Sequence, residues 1–298
     1  MQKIIAVVVT FNPDKFLLLE LINSLSQIDG CIIVNNGGEL NYLHDFSSKG
    51  KVTQIDMPKN VGVATALNAG CIFAEKKGAD FIITFDQDSK PEVNMIDNLI
   101  NAFKALTKSG INIGALGPVQ IDRRTGHPSP FLTPVRWKRK LSHIRENQMI
   151  EVDHVITSGC LIPIQAWKTS GPFIDELFID YVDIEWCHRV RSKGYTIYGI
   201  GNANLLHQIG DHIVKFKGMT MPLHTPLRHY YMMRNGMYLN FLPYISARWK
   251  ILNTIQILKT IFFLALVSSP RKEHFLSMVR GAKDGLLKKI LAFNEEQK

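Results

Sequence analysis

Short apolar runs rich in isoleucine and valine alternate, along the first part of the chain, with stretches whose apolar residues recur every three or four positions. Runs of this kind are typical of strands buried on both faces, and the periodic stretches are typical of amphipathic helices. In order, the predicted elements are strand 3–9, helix 14–27, strand 31–34, strand 52–55, helix 61–77, strand 81–85, helix 93–107 and strand 113–119. This alternation predicts an α/β fold in which helices flank a mostly parallel central sheet.

The pattern is less regular in the second half of the chain. The stretch 123–148 is polar and basic and contains proline, which predicts a mobile loop region. The elements predicted after it are strand 152–157, helix 180–193 with Gly194 just past its end, short strands 195–200 and 204–207, and helix from residue 224 onward. The chain is therefore expected to end in a helical extension.

Two carboxylates follow the buried run 81–85, in the tripeptide Asp86-Gln87-Asp88. In α/β folds the ligand crevice lies beyond the carboxyl ends of the strands, so these side chains are placed to face it. Carboxylate oxygens on a loop suit Mg²⁺ or Mn²⁺, and a metal held in this way is usually shared with the phosphates of a substrate. Surface turns are also rich in aspartate, so the interpretation of the tripeptide as a metal site depends on the motifs around it.

Small residues and two asparagines mark the helix predicted at 61–77. Glycine and alanine let another backbone come close, and for Ala66 and Gly70 we expect this to be packing of the helix on the sheet. Asn60 and Asn68 have two interpretations that the sequence leaves open. Each either binds a ligand or fixes a neighbouring loop.

A second acidic cluster includes Asp180 and Asp183, which on one helix would be neighbours three positions apart. A carboxylate at a helix start is ordinarily a cap or a favourable terminal charge, but one held near a metal–diphosphate site would make a good general base. His207 follows a predicted strand. It is either a structural histidine or a neutral imidazole ready to bind a metal.

In this order the motifs resemble those of the family 2 glycosyltransferases, which have the GT-A fold. The matching residues are Thr10-Phe11-Asn12-Pro13, Asn35-Asn36-Gly37, Asn60-x-Gly62, Asn68-x-Gly70, Asp86-Gln87-Asp88, Ser158-Gly159, Asp183 and His207. Two further stretches look like the bacterial rhamnosyltransferase branch, and these are Phe178-Ile179-Asp180-x-x-Asp183-x-Glu185-x-Cys187-x-Arg189 and Tyr230-Tyr231-x-x-Arg234-Asn235. The resemblance covers about residues 3–240.

The resemblance implies a Rossmann-like GT-A domain and an inverting sugar transfer from a nucleotide diphosphate sugar. It implies that Asp86 and Asp88 bind Mg²⁺ or Mn²⁺ bridging the diphosphate, with His207 completing the protein ligands. It also implies that Asp183 takes the proton from the acceptor hydroxyl. The residues expected to bind the donor are Thr10, Asn12, Asn36, Asn60, Asn68, Asp86 and Gln87.

The chain departs from the family pattern at two positions. Asn35 stands where the family commonly has aspartate in an Asp-Asn-Gly-Ser turn, which puts the contact to the nucleobase of the donor in doubt. Val182-Asp183 stands where the family has a Glu-Asp pair, so Asp183 is the single base candidate at that step.

The composition narrows the remaining alternatives. A net charge of +9 favours an anionic partner, which could be a nucleic acid, a nucleotide or an anionic membrane surface. No GxGxxG or GxxxxGK[ST] motif is present, which argues against a dinucleotide or P-loop enzyme, and no aromatic-interleaved basic motif supports nucleic-acid binding. The four cysteines are scattered through apolar or helical stretches, which predicts buried free thiols.

Residues 244–298 are predicted to form a basic amphipathic helical tail after a glycosyltransferase domain at 1–243. From residue 247 the tail has ten lysines and arginines and four acidic residues, about +6. We expect no apolar run long enough to span a membrane, but an interfacial helix at an anionic surface. The start Met1-Gln2-Lys3 runs straight into a strand, so we expect no signal peptide and a cytoplasmic protein, peripheral at the inner face of the cell membrane.

The leading hypothesis is an enzyme that transfers L-rhamnose from dTDP-L-rhamnose to a lipid-linked glycan acceptor of a bacterial surface polysaccharide, of the O-antigen or capsule type. A near alternative keeps the mechanism and uses another donor, such as UDP-galactofuranose. A non-catalytic sugar-nucleotide-binding protein is the alternative from a different class. Retention of Asp86, Asp88, Asp183 and His207 together argues against that last alternative.

Overall fold

A computed structural model describes residues 2–43, 52–134, 140–207, 212–216 and 219–290. The strands are β1 Ile4–Thr10, β2 Gly30–Asn35, β3 Val52–Asp56, β4 Phe81–Asp86, β5 Lys90–Pro91, β6 Ile113–Asp122, β7 Phe131–Thr133, β8 Lys140–Ser142, β9 Met149–Glu151, β10 Cys160–Pro163, β11 Thr196–His207, β12 His212–Phe216 and β13 Met219–Leu223. The α-helices are α1 Lys15–Ser24, α2 Val63–Lys76, α3 Met95–Lys108, α4 Ile164–Ser170, α5 Val182–Ser192, α6 Pro226–Tyr238, α7 Ala247–Val267 and α8 Arg271–Leu286.

The central sheet has the order β3-β2-β1-β4-β10-β6-β11-β5, with β9 also paired to β11. Strands β3, β2, β1 and β4 are parallel, and β11 is parallel to β6. Strand β10 runs antiparallel to both of its neighbours, and β5 and β9 run antiparallel to β11. The predicted α/β class with a helix-flanked sheet is confirmed, and the later strands make the sheet mixed.

Each face of the sheet has its own apolar core. Alternate residues of β1 show the division, since Ala6 and Val8 pack with α1 and α3 on one face whereas Val7 packs with α2 and α5 on the other. Side chains point alternately to the two faces of a strand, so an uninterrupted apolar run is what burial on both faces requires. The four cysteines are buried and free, as predicted.

Helix ends agree with the local sequence signals at two points. Asp14 caps α1 by accepting hydrogen bonds from the backbone N–H groups of Phe16 and Leu17, at 2.8 and 3.1 Å. Gly194 follows α5 with a φ of 86°, the left-handed conformation that glycine adopts after a helix.

Three local predictions were wrong. Residues 152–157 form no strand. The segments of this region that pair with the sheet lie before and after them, in β9 and β10. The predicted loop region 123–148 contains the short antiparallel pair β7–β8. Asp180 and Asp183 do not share a helix face, because α5 begins at Val182 and Asp180 has a φ of 61°.

The helices α6, α7 and α8 pack around a third apolar cluster that includes Met233, Ile257 and Met278. Helix α8 approaches α6 at backbone distance, since a Cβ added at Gly281 or Gly285 would lie 2.2 Å from the carbonyl oxygen of Tyr230 or Arg234. Helix α6 precedes residue 244 and belongs to this packing. The division of the chain at 243/244 stays a prediction.

Helix α7 overturns the expectation that no apolar stretch is long enough to span a membrane. It has 21 residues and a mean hydropathy of 1.6 over its best window, of which 28% is buried. Within the described residues it is the one helix that qualifies by length and composition, a test that core helices of water-soluble proteins also pass. The sequence analysis underestimated the length of the apolar stretch, because Lys250 and Lys259 interrupt it without ending the helix.

Gly70 on α2 provides a test of the sheet packing. A Cβ at this position would lie 2.3 Å from Cγ1 of Val7 and 3.0 Å from Cγ2 of Val34, both in the core. We predict that Gly70→Ala destabilises the protein by about 1–3 kcal/mol, despite the better helix propensity of alanine, because overpacking forces strand side chains to move. Urea denaturation measures this change.

Gly30 at the start of β2 is the matched control, because a Cβ there meets no atom within 4 Å. Gly30→Ala is expected to change the free energy of unfolding little. A stabilising effect of Gly70→Ala would show that helix propensity, and not packing on Val7, governs this position.

Candidate functional site

The parallel strands bring the predicted polar residues to one edge of the sheet. In the register, Thr10 lies beside Asn35 and Val9 beside Asp86, so β1, β2 and β4 end together. Thr10 is fully buried, and its hydroxyl donates to the carbonyl of Val34 at 3.4 Å. The carboxyl edge of these strands is where an α/β fold binds ligands.

Gln87 ties the carboxylate turn to the end of β1. Its Oε1 accepts from the backbone N–H of Phe11 at 2.7 Å, and its Nε2 donates to the Phe11 carbonyl at 3.2 Å. Asn12, which follows Phe11, has a φ of 43° and donates its backbone N–H to the Gly37 carbonyl at 2.9 Å. The turns after β1, β2 and β4 therefore support one another.

His207, the last residue of β11, lies between the two carboxylates of the turn. Its Nε2 is 3.6 Å from Oδ2 of Asp86, and its Nδ1 is 3.3 Å from Oδ1 of Asp88. The long strand β11 passes beside β6 and reaches the same edge of the sheet, which explains how residues 119 positions apart in sequence meet. The three predicted metal ligands are thus adjacent in space.

The electrostatics of this cluster reflect crowded negative charge. Asp86 is 41% exposed to the crevice, yet its partial removal from water raises the pKa of its carboxyl, and Asp88 adds to that effect. Burial lowers the pKa of His207, but the carboxylates of Asp88 and Asp86 outweigh it, so the net pKa is raised. Added positive charge at this place would be favourable.

Two observations bear on whether a divalent cation fits. Within the described residues, no group of three His, Cys, Asp or Glu side chains is already arranged around a metal position. The donor set itself fits Mg²⁺ or Mn²⁺, because two carboxylates and an imidazole converge, and the buried Nδ1 of His207 makes no well-aligned hydrogen bond. Asp86 and Asp88 both keep access to the crevice.

Asp183 lies in the first turn of α5, and its Oδ1 accepts from the N–H of Ile184 at 2.8 Å. Burial, with smaller contributions from the carboxylates of Asp180 and Asp86, raises the pKa of Asp183 to about 6 against the lowering effect of that hydrogen bond. The group is therefore ionised at neutral pH and readily takes up a proton just below it. That is the behaviour a general base requires.

Two arginines at the site were missed by the sequence analysis. Arg228 pairs with Asp180 through Nε at 3.1 Å and Nη2 at 3.2 Å, and its charge lowers the pKa of Asp86. Arg123 donates to the backbone carbonyl of Asp88 at 3.1 Å. Arg228 lies two positions before the Tyr230-Tyr231 motif, which was the one signal for it, whereas Arg123 lies in a stretch taken for a loop.

The asparagines after β2 and before α2 hydrogen-bond to each other. Asn36 donates to Oδ1 of Asn60 at 3.0 Å and accepts from the N–H of Val61 at 2.9 Å. Oδ1 of Asn60 also accepts from the N–H of Gly62 at 3.0 Å. These contacts give both asparagines a loop-fixing role, and their contact with a donor stays a prediction.

Asn68 cross-links helix α2 to the segment before α5. Its Nδ2 donates to the Phe173 carbonyl and to Oδ1 of Asp175, at 2.9 and 2.8 Å, and its Oδ1 accepts from the Phe173 N–H at 2.8 Å. Both ends of the amide are used inside the protein. Of the two interpretations left open by the sequence, the structure favours loop fixing.

Comparison with known proteins agrees with this arrangement. Residues 5–165 match the family model described as Glycosyl transferase family 2. The chain is 31% identical over 292 residues to the dTDP-rhamnosyl transferase RfbF of Shigella flexneri, covering 95% of this chain and 96% of that protein.

Solved structures with the same architecture include the S. aureus protein TarS (residues 1–349, in complex with UDP), with a TM-score of 0.61 and 11% identity. That match covers 97% of this chain and 82% of the TarS chain. GalNAc-T7, solved with UDP, GalNAc and Mn²⁺, has a TM-score of 0.55 and 13% identity, and the match covers 84% of this chain and 53% of that one. At these identities the likeness shows the fold alone.

Proposed function

The chain belongs to glycosyl transferase family 2, and from this premise we propose that it transfers L-rhamnose from dTDP-L-rhamnose, with inversion, to a lipid-linked glycan acceptor of a surface polysaccharide. The observation that carries the proposal is the convergence of Asp86, Asp88, His207 and Asp183 at one edge of the sheet. The name of the Shigella flexneri relative supports the choice of donor.

In this mechanism Asp183 accepts the proton of the acceptor hydroxyl. The hydroxyl oxygen forms a bond to the anomeric carbon while the bond from that carbon to the diphosphate oxygen breaks, which inverts the configuration. With a pKa of about 6, Asp183 is ionised at neutral pH and can take this proton. It lies in the first turn of α5, close enough to Asp180 and Asp86 for their charges to raise its pKa, which supports a position beside the proposed donor site.

Asp86 and Asp88 would hold Mg²⁺ or Mn²⁺, and His207 would complete the protein ligands. A bound divalent cation supplies positive charge that offsets the negative charge of the diphosphate as it leaves. Gln87, Asn12 and Thr10 shape the turns around the proposed nucleotide pocket.

A donor panel tests the proposal. We predict that dTDP-L-rhamnose with Mn²⁺ raises the melting temperature more than UDP-galactofuranose, UDP-GlcNAc or GDP-mannose at equal concentration, because stabilisation follows ligand concentration over Kd. EDTA or Asp88→Ala is expected to abolish the shift and the transfer. Asp97→Ala, on the exposed face of α3, is the control and should keep both.

A larger shift with another donor would keep the mechanism and change the sugar. Full transfer by the metal-free protein in EDTA would contradict the metal role of Asp86 and Asp88. Binding of the donor without transfer to any acceptor would favour the non-catalytic alternative.

We also propose that helix α7 contacts the cytoplasmic surface of the inner membrane, where a lipid-linked acceptor resides. Spacings of four, three, four and four residues place exposed apolar side chains on one side of the helix, and these are Ile251, Ile255, Leu258, Phe262 and Leu266. The segment from residue 247 has a net charge of about +6. Apolar burial and attraction to anionic lipids act together on such a surface.

Vesicle sedimentation tests this contact. We predict binding to anionic vesicles at low salt and partial release at high salt, because the electrostatic contribution is screened. Leu258→Glu is expected to weaken binding by at least about tenfold, since it puts a charge in place of an apolar side chain that the membrane would bury. Leu141→Glu, at an equally exposed leucine on β8, is the matched control and should bind as the wild type does.

Equal binding to neutral and anionic vesicles, or no binding, would contradict a peripheral basic contact. Retention in the membrane fraction after high-salt and alkaline washes would show instead that α7 spans the bilayer.

A further inference from the structure

The segment that leads into α5 has an unusual backbone. Phe178, Asp180 and Tyr181 have φ values of 64°, 61° and 64°, although none of them is glycine. Side-chain-bearing residues adopt this left-handed conformation rarely, and it persists only where the surrounding structure holds it. Residues 177–181, called here the left-handed loop, end two positions before Asp183.

One buried amide holds this loop. Asn235 of α6 is fully buried, and its Nδ2 lies 2.8, 2.8 and 2.9 Å from the carbonyl oxygens of Leu177, Ile179 and Asp180, so its two N–H groups are shared among three acceptors. Its Oδ1 accepts from Nε of Arg234 at 2.9 Å, which fixes the orientation of the amide so that the NH₂ group faces the loop.

Arg234 supports the same loop from the adjacent position. It is also fully buried, and its Nη2 donates to the carbonyls of Glu176 and Leu177 at 2.6 and 3.2 Å. Its guanidinium lies 4.7 Å from the ring centre of Tyr231, which in turn stacks on Phe178 with ring centres 4.9 Å apart. Arg234 and Asn235 thus both donate hydrogen bonds to backbone carbonyls of residues 176–180.

The loop connects to both parts of the proposed site. The carbonyl of Phe178 accepts from the N–H groups of Val63 and Ala64, at the start of α2. The Asp180 carboxylate pairs with Arg228, and Glu185 in α5 donates its N–H to the carbonyl of Tyr181 at 2.9 Å. A change in the loop therefore moves the first turn of α5, which carries Asp183.

We infer that Asn235 is a positioning residue for Asp183, acting through the left-handed loop and not by contact with substrate. This rests on the proposed function for the role of Asp183 as base. The loop before α2, residues 60–62, has a second anchor in the Asn36–Asn60 pair, and the proposed metal ligands lie on β4, in the turn after β4 and on β11. Loss of Asn235 is therefore felt mainly in the chemical step and less in donor binding.

The test compares Asn235→Ala with Asn240→Ala. Asn240 follows α6 and its amide donates to Oγ1 of Thr254 on α7 at 3.0 Å, so its loss weakens packing without touching the loop. We predict that Asn235→Ala lowers kcat, per folded molecule, by about 10–10²-fold, because a displacement of about 1 Å at a reacting group has effects of this size. The Kd of the nucleotide sugar is expected to change less than fivefold, and Asn240→Ala should keep kcat.

A second measurement does not depend on activity. Amide hydrogen exchange over residues 178–186 is expected to be at least tenfold faster in the graded variant Asn235→Ser, with its shorter side chain, and unchanged in Asn240→Ala. This variant also serves if Asn235→Ala does not fold. Unchanged exchange in Asn235→Ser, or a folded Asn235→Ala with wild-type kcat, overturns the inference.

The two proposals fail in different ways. If the wild type transfers no sugar but the exchange result holds, the proposed function is wrong and the anchoring of the loop stands. If the wild type is active and either Asn235 result fails, the positioning role is wrong and the proposed function stands.

Discussion

Negative charge held partly out of water is the constraint on which the site depends. The carboxylates that influence one another across the crevice are those of Asp86, Asp88, Asp180 and Asp183. Removal from water raises the pKa values of Asp86 and Asp183, and neighbouring carboxylates add to this, so the ionised groups are stable only when positive charge is close. His207 and Arg228 provide part of that charge, and a metal-bound diphosphate sugar would complete it. Burial, with a smaller contribution from the nearby carboxylates, keeps the pKa of Asp183 near the pH range in which a base is useful.

Buried amides hold the crevice in shape. Asn36, Asn68 and Asn235 are buried, each joins segments that are far apart in sequence, and each uses both its donor and its acceptor. A loop has no helix or sheet partner for its backbone, so a side chain that satisfies several backbone groups can fix its conformation. The hydrogen bonds of these amides join the loops to helix α2, to the segment before it, or to helix α6.

The sequence predicts the first half of this arrangement well. Apolar runs buried on both faces identify β1, β2 and β4 without ambiguity, and the carboxyl ends of parallel strands must share an edge, so the Asp86-Gln87-Asp88 turn could be placed from pattern alone. The pattern does not reveal Arg228 or Arg123, because their partners depend on long-range packing. The non-helical backbone at Asp180 was also hidden, since left-handed aspartate has no periodic signal and its cause, Asn235, lies 55 positions away.

The proposed transfer requires Asp183 to remove the proton from the acceptor hydroxyl, and the transfer rate of Asp183→Asn measures this requirement. Asparagine keeps the shape and the hydrogen bond from Ile184 but cannot accept a proton. We predict that kcat falls by about 10²–10⁴-fold while donor binding persists. In the wild type, kcat is expected to fall about tenfold per pH unit below a pKa of about 6, because protonated Asp183 is inactive. Near-wild-type turnover of Asp183→Asn would contradict the account and direct the search for the base to Asp180 or Glu185.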